Sequence, residues 1–510
     1  MYPGTHARTT PDKPAVIMAE SGETLTFAAL EERSVRLADH LRGLGLVTGD
    51  VVALLTDNRP QASEVYWACQ RSGWYVTAVN WHLTAAEAAH IVGDCGTRVL
   101  IASAGLGDLA EAVAVATPAV THTLAFAGAI SGFGDYEAAL AAADPVAPAD
   151  QPRGGDLLYS SGTTGKPKGV RPELSGRQVD DPAGNYGSLI APRYGLGPDT
   201  VYLSPAPIYH AAPLRFAGVV QAWGGTVVMM RSFDAEEALA AIERHRVTHS
   251  QWVPTMFVRM LKLPGEVRRK YDHSSLRVAV HGAAPCPAEV KRAMIDWWGP
   301  VLDEYYGATE GIGATFIDSA QWLAKPGSVG RAGAMGTVHI VGPDGAELPV
   351  GEAGVIYFER DALPFQYHGN PGGTAAVRHP GHPGWATVGD VGHLDEDGFL
   401  FLLDRQSHVI ISGGVNVYPR EVEDVLALHP AVDDVAVVGE PDEVLGESVL
   451  ALVKAAPGAA SAGLPAELTA YTRERLARFK CPRRVELVHD LPRTPAGKLL
   501  KRALRGEAGA

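Results

Sequence analysis

Between Thr26 and Gly43 the apolar positions Phe27, Leu30, Leu37, Ala38 and Leu41 fall on roughly one helical face, and the following run Val51 to Leu55 is apolar without interruption. A one-sided stripe predicts a helix packed on a core; a short unbroken run bounded by polar residues predicts a strand buried on both faces. The alternation continues through the helix-like EVYWACQRSG, a second helical stretch near Thr84 to Gly93, and the apolar run VLIASA from Val99. Helices alternating with buried strands predict an α/β layer fold. From Glu137 to Asp156 Ala, Pro and Asp dominate, which predicts a connection between subdomains.

Further along, Asp234 and Glu237 have the spacing of a capping box at the start of a helix that turns Leu239 and Ile242 inward, and VTHSQWVP resumes a strand. RVAVHG, the Pro-flanked turn PCP and the helix-like AEVKRAMIDWW form a strand–turn–helix unit, and such turns are where α/β proteins place ligands. From about Gly330 short strands separated by GPDG and DEDG predict hairpins, and so a small β-rich subdomain near 330–403. A final unit of about a hundred residues follows Asp404, with helices near Pro419 to Leu428 and Ala466 to Phe479, the strand-like VDDVAVVG between them, and a loop at Pro457 to Gly463.

Composition narrows the function. A chain of 510 residues is too long for one ordinary core, so two or three domains are expected. The 44 Lys and Arg against 58 Asp and Glu leave a formal charge of -14, which excludes a large nucleic-acid footprint and makes any phosphate site a local one. Cys69, Cys95, Cys286 and Cys481 lie far apart, without disulfide-framework or zinc spacing, and a reducing cytoplasm is the simplest compartment. The first residues show no secretory signal, and no run reaches membrane-spanning length.

The candidate phosphate site is YSSGTTGKPKGV, Tyr159 to Val170. It is not a Walker loop, because Lys166 is followed by Pro167 rather than by Ser or Thr opening a helix. Its composition also suits a plain linker. Leu157, Leu158 and Tyr159 before it and Val170 after it give the stretch an anchored stem, however. Glycine-freed backbone N–H groups, the hydroxyls of Ser160, Ser161, Thr163 and Thr164, and the ammonium groups of Lys166 and Lys168 are all able to meet phosphate oxygens.

This stretch resembles the signature loop of the adenylate-forming superfamily, which includes acyl-CoA synthetases, luciferases and the adenylation domains of peptide synthetases. YYGATEG (Tyr305 to Gly311), TVGDVGHLDEDGFLFLLDR (Thr387 to Arg405), ISGGVNVYPREVE (Ile411 to Glu423) and LPRTPAGKLLKR (Leu491 to Arg502) resemble the later motifs, in the same order. GLGLVTGDVVALLTDNRP and AVNWHLTAAEAAHIV are similar to the acid–CoA ligase branch, so the resemblance covers nearly the whole chain. It implies an α/β architecture: an N-terminal domain over 1–403 with two α/β subdomains and the β-rich one, a hinge at 404–408 around Ser407, and a mobile α+β C-terminal domain over 409–510. The two domains would alternate between half-reactions.

The resemblance also implies ATP, Mg2+ and coenzyme A. The loop from Ser160 to Lys168, Gly162 and Gly165 included, would cover the β- and γ-phosphates, with Thr163, Thr164, Gly165 and Lys166 in direct contact and Thr164 also near the metal. Tyr306 beside Gly307 would stack on adenine, Thr309 would meet the α-phosphate, and Glu310 would hold Mg2+. Asp390 would take the ribose hydroxyls with help from Arg405, and Gly282, Ala283 and Ala284 would run along adenine. Lys498 would bridge α-phosphate and carboxylate, His210 would stand at the mouth of the acyl pocket, Gly413 and Gly414 would line the pantetheine tunnel, and Lys480 and Arg483 would meet CoA phosphates. Read without the resemblance, these residues fit ordinary roles: core aromatics and a turn at Tyr305–Gly307, a turn cap at Asp390, solvated charges at Glu310, Lys480, Arg483 and Lys498, and a structural histidine at His210.

Two places depart from the pattern. Ser407 and His408 stand where a charged hinge residue is usual, and RPELSGRQVDD after Val170 replaces the usual continuation. The implied activity is an ATP-dependent acid–CoA ligase. Alternatives are an enzyme restricted to one half-reaction such as thioesterification of the adenylate, loading of a carrier protein, and a non-catalytic nucleotide-binding relative; a luciferase-type oxygenase has no separate support. A homodimer is a possible assembly. Small residues (Ala211, Ala212, Gly218, Gly282, Ala283, Gly307) with Trp252, Met256 and Phe257 suggest an apolar cavity for a medium, bulky or long acid.

Overall fold

The computed structural model describes residues 1–160, 167–182, 186–333, 335–413, 415–442, 444–493, 499–501 and 503–504. They form two compact units, the first comprising Met1–Ala283, Val290–Gly311 and Leu363–Ala375, the second Ala284–Glu289, Ile312–Ala362 and Ala376–Ala510. The architecture is mixed α/β, as the alternation of stripes and apolar runs requires.

In the first unit the five residues of Val51–Leu55 are all buried, as a strand covered on both faces must be. It lies inside a parallel sheet with the order Gly134–Asp135, His122–Phe126, Thr97–Ser103, Val51–Leu55, Tyr75–Val79, Gly155–Asp156. Its core joins Ala53, Leu55, Val79 and Leu100 to Ile91, Val92 and Val113 from the covering helices. The predicted helices start on their own caps: Thr26 accepts from the Ala29 N–H at 3.2 Å for Phe27–Gly43, and Thr84 with Glu87 closes a full capping box for Ala85–Asp94.

A second sheet in this unit runs Thr24–Thr26, Pro14–Met18, Thr226–Met229, Val201–Ser204, His249–Trp252, Val278–His281, Leu302–Gly307, parallel after its first pair. A small antiparallel sheet joins Leu158–Ser160, Lys168–Pro172 and Phe365–Tyr367.

Three local expectations need correction. The stretch from Glu137 is not all connection: Tyr136–Ala142 is a helix, because Asp135 accepts from the Ala138 N–H at 2.7 Å and Tyr136 is buried beneath it. Asp234 does cap the helix Ala235–His245, but Glu237 turns to Arg244 at 2.9 Å instead of back to the cap, so half of the capping box forms. The helix expected to reach Phe479 is Leu464–Arg473; Arg475 donates to the Tyr471 carbonyl at 3.0 Å and lies over its ring, satisfying the helix end there.

The second unit holds an antiparallel sheet ordered Thr337–Val341, Gly354–Glu359, Asp390–Leu394, Leu400–Arg405, Ser328–Ala332, Ala314–Asp318. Its GPDG and DEDG turns form as their residues predict, with Gly345 at φ 82° and Gly398 at φ 77°. Another sheet, Val415–Val417, Ile410–Ser412, Gly446–Ala455, Val432–Asp442 with Arg484–Leu487 added, is covered by the helices Pro419–Ala427 and Leu464–Arg473 through Val422, Leu426, Leu464 and Leu468. Among the described residues no helix is long and apolar enough to cross a membrane.

Candidate functional site

In the first unit the parallel strands Val278–His281 and Leu302–Gly307 end side by side, and their carboxyl ends carry Gly282–Ala283 and Gly307–Glu310. A Cβ at Gly282 would stand 2.8 Å from both the Tyr305 ring and its carbonyl, so only glycine fits there. Ala283 next to it holds φ 66°, a left-handed conformation that is uncommon outside glycine and recurs at functional turns. Beneath the strands Glu304 is buried against Lys291 at 2.6 Å, with His281 3.8 Å away. Burial and the Lys291 charge hold the His281 imidazole well below its ordinary value, so it is neutral. Burial pushes the Tyr305 phenol up to about 12, and Gln251 donates to its oxygen at 3.2 Å.

Glu310 is 8 % exposed, and the Tyr367 phenol donates to its Oε1 at 2.8 Å. The Arg215 guanidinium points at the Thr309 carbonyl at 3.4 and 3.5 Å while donating twice to Asp156, at 2.7 and 2.8 Å. Tyr367 pairs with Val170 across the small antiparallel sheet, and Lys168 pairs with Ser160 in the adjoining hairpin. The Lys168 ammonium stands 5.0 Å from the centre of the Tyr367 ring. The stem of the glycine-rich stretch is therefore tied to the carboxylate of YYGATEG. Ser161, Gly162, Thr163, Thr164, Gly165 and Lys166 lie outside the described residues, as does the Ser160 side chain.

Glu310 has no cationic partner among the described residues, and no cluster of three or more His, Cys, Asp or Glu there could hold a metal ion. A buried carboxylate with only a neutral donor calls for positive charge. A single carboxylate fits Mg2+, which takes its remaining ligands from substrate phosphates and water rather than from a protein cage.

Arg171, the first residue of the unusual segment, stacks over Tyr75 at 4.5 Å and lies 3.3 Å from His368 Nδ1. With Tyr75, Gln366, Tyr367, His368 and Asn370 it lines a cavity of about 460 Å³ beside the hairpin. His210 precedes the helix Ala211–Ala222; its Nε2 is buried without a hydrogen-bond partner among the described residues. Burial, with a smaller contribution from His82, lowers its imidazole to about 4. Part of the expected acyl cavity is filled: a Cβ at Gly218 would stand 2.6 Å from the Tyr66 hydroxyl, and Trp252, Phe257 and Trp298 pack on one another at 5.5 to 6.2 Å. These aromatics are core, because each supplies the apolar surface that buries the next.

In the second unit Asp390 and Arg405 face each other across neighbouring strands at 3.1 Å, so the two residues expected at the ribose are together. Ser407 lies in the single turn Gln406–His408. Beside it Asp404 accepts from the Arg420 N–H at 3.1 Å and contacts His408 Nδ1 at 3.2 Å. Burial opposes ionisation there, but the His408 hydrogen bond and the Lys501 charge hold the Asp404 carboxyl below the usual range. Gly413 turns the Ile410–Ser412 hairpin at φ 59°. Lys480 is paired with Glu421, and Arg483 reaches Asp442 at 3.4 Å. Ala284 belongs to this second unit, whereas Gly282 and Ala283 belong to the first. Gly414 and Lys498 lie outside the described residues.

The sequence reading did not single out Tyr367, Arg215, Asp156 or Asn58. Asn58 holds the chain before His210, donating to the Ala206 and Met230 carbonyls at 3.0 and 2.8 Å and accepting from the Ile208 N–H at 2.8 Å. Its signal was a buried amide just after an apolar strand; Tyr367 had none beyond an aromatic in a short alternating run.

Residues 4–367 match the model of the AMP-binding enzyme family, and residues 421–498 match that of the AMP-binding enzyme C-terminal domain. The chain is 36 % identical to a feruloyl-CoA synthase from an Amycolatopsis species, covering 100 % of this chain and 98 % of that one. It is also 36 % identical to the fatty acid–[acyl-carrier-protein] ligase ScoC of Streptomyces coeruleorubidus, over 98 % of this chain and 94 % of the other. The structure of the o-succinylbenzoate CoA synthetase MenE from Bacillus subtilis, with its acyl-adenylate intermediate, superposes with a TM-score of 0.82 at 29 % identity, covering 98 % of this chain and 97 % of that one.

Proposed function

We infer, for a chain that belongs to the AMP-binding enzyme family, that it is an ATP-dependent acid–CoA ligase acting on an apolar carboxylic acid. The observation that carries this reading is the tie between the glycine-rich hairpin and the buried Glu310 through Tyr367. A phosphate-binding loop and a cation-seeking carboxylate belong together where a polyanion reacts.

A carboxylate oxygen attacks the α-phosphorus of ATP, the bond to pyrophosphate breaks, and an acyl-adenylate remains. The thiol sulfur of CoA then attacks the acyl carbon, its proton is lost, and the bond to AMP breaks. Two anions must approach one another in the first step, so positioned positive charge and alignment are the main requirements. In this reading Thr163, Thr164, Gly165 and Lys166 contact the β- and γ-phosphates, Tyr306 stacks on adenine, Thr309 meets the α-phosphate, and Lys498 bridges α-phosphate and acid. Asp390 with Arg405 holds the ribose. Glu310 and Thr164 would hold Mg2+, which when bound neutralises phosphate charge. His210, neutral at physiological pH, borders the acid, and Gly413, Gly414, Lys480 and Arg483 serve CoA. Four buried cysteines, none of them in a disulfide, suit a cytoplasmic enzyme.

A carrier-protein acceptor is the second reading, favoured by the equal identity to ScoC. The test is a panel of fatty, aromatic and polycyclic acids with ATP and either CoA or a holo carrier protein, scored for AMP and thioester. Thioester on CoA, lost in Lys498→Ala while ATP still binds, is expected. Release of neither pyrophosphate nor AMP with any acid would overturn the reading.

A further inference from the structure

Glu310 is buried, and among the described residues the group that holds it is a phenol rather than a cation. The choice matters. An Arg or Lys at the same place would fix the carboxylate and cancel its charge; a phenol fixes Oε1 and leaves the charge intact, with Oε2 free of any hydrogen bond among the described residues.

The phenol is itself held on several sides. Its backbone sits in the small antiparallel sheet opposite Val170, and its N–H donates to Thr374 Oγ1 at 2.9 Å. The ring packs edge-on to Phe365 at 5.1 Å, and Lys168 caps its face. It is 6 % exposed, so its rotamer has little freedom. The same strand partner, Lys168–Pro172, carries the foot of the glycine-rich stretch.

We propose that Tyr367 is the positioning residue for the divalent cation: its hydroxyl aims the Glu310 carboxylate and preserves its negative charge, so that Oε2 is presented to the metal of the metal–nucleotide complex. The inference rests on the reading of Glu310 as the metal carboxylate. Groups that orient a metal ligand through its second atom typically change metal affinity 10- to 100-fold when removed.

The test is a double-mutant cycle of Tyr367→Phe and Glu310→Gln, read as binding rather than turnover. Mn2+ affinity is measured by electron paramagnetic resonance in the presence of a non-hydrolysable ATP analogue, and metal-free nucleotide affinity by calorimetry. Tyr367→Phe keeps ring and strand; it is expected to weaken Mn2+ binding about tenfold and to leave metal-free nucleotide binding unchanged. Because the phenol acts through Glu310, the double variant should bind Mn2+ no more weakly than Glu310→Gln alone. The double variant also leaves no unpaired buried charge, so the comparison survives if Tyr367→Phe folds poorly. Unaltered Mn2+ affinity in Tyr367→Phe, or losses that add in the double variant, would overturn the proposal while the reading of Glu310 stands. If Glu310→Gln itself leaves Mn2+ affinity unaltered, that reading fails and the proposal fails with it.

Discussion

Glu310 and Asp390 are both carboxylates carried by strand ends, yet their surroundings are opposite. Glu310 is buried, and its partner is a neutral phenol; Asp390 lies 3.1 Å from the Arg405 guanidinium on the next strand. The first carboxylate has no cationic partner among the described residues, in a place where an uncompensated charge is costly. The second has a cation of its own. A site for a metal ion needs the first arrangement, and a site for neutral sugar hydroxyls tolerates the second, because a carboxylate still accepts hydrogen bonds when it is ion-paired. The difference separates two electrostatic settings that the letters Glu and Asp leave undistinguished.

The contrast can be broken most directly at Glu310. Glu310→Ala is expected to lower acid-dependent ATP–pyrophosphate exchange by about 10²–10³-fold, the cost of removing one preorganised electrostatic group, and to lower CoA transfer from supplied acyl-adenylate much less. Equal losses in both half-reactions would erase the distinction. Arg215→Met should follow: it strands Asp156 and releases the Thr309 carbonyl, and the denaturant midpoint should report a loss of about 3 kcal/mol, as breaking a largely buried pair does. Nucleotide affinity should drop with it. A fall in stability with unchanged nucleotide affinity would make that pair purely structural.

Asp390→Asn should raise the KM for ATP about 10- to 100-fold, since a hydrogen bond to a charged group contributes about 1.5–3 kcal/mol, without moving the Mg2+ midpoint. A shifted midpoint would mean that the two carboxylates share one role. The smallest effect belongs to His210. Its imidazole titrates at about 4 in the fold against an ordinary value of 6.5. Between these values the unfolded chain binds a proton that the folded chain does not, so stability is present above the window and is lost as pH falls through it. His210→Asn should therefore lose less Tm than the parent between pH 7 and pH 5. The same slope in both proteins would show that the imidazole is not held neutral.

Much of the fold was legible because its causes are local. The stripe of Phe27, Leu30, Leu37 and Leu41 and the cap at Thr26 act within a few turns of one helix, and the helix Phe27–Gly43 follows from them. Val51–Leu55 needed only its unbroken apolar character. The helix Tyr136–Ala142 was missed because its Ala-rich residues share their composition with a connection, and its order depends on burying Tyr136 against other elements. Part of the expected acyl cavity is filled for a related reason: Gly218 is small on paper, but Tyr66, far away in the chain, takes up the space beside it.

The site divides the same way. YYGATEG, TVGD and the glycine-rich stretch determine by themselves which chemical groups are present and in what order, since backbone freedom, hydroxyls, ammonium groups and carboxylates are properties of residues. The partners of those groups are another matter. Tyr367 and Glu310 are 57 residues apart, Arg215 and Asp156 are 59 apart, and Asn58 and Ala206 are 148 apart. No local pattern encodes such pairs; strand order and register bring them together. The chain alone determined that a stretch rich in glycine, hydroxyls and lysine and a carboxylate exist. Only the tertiary structure decided that, among the described residues, a phenol and not a cation holds that carboxylate, because which neighbour meets a buried charge is settled where distant strands pair.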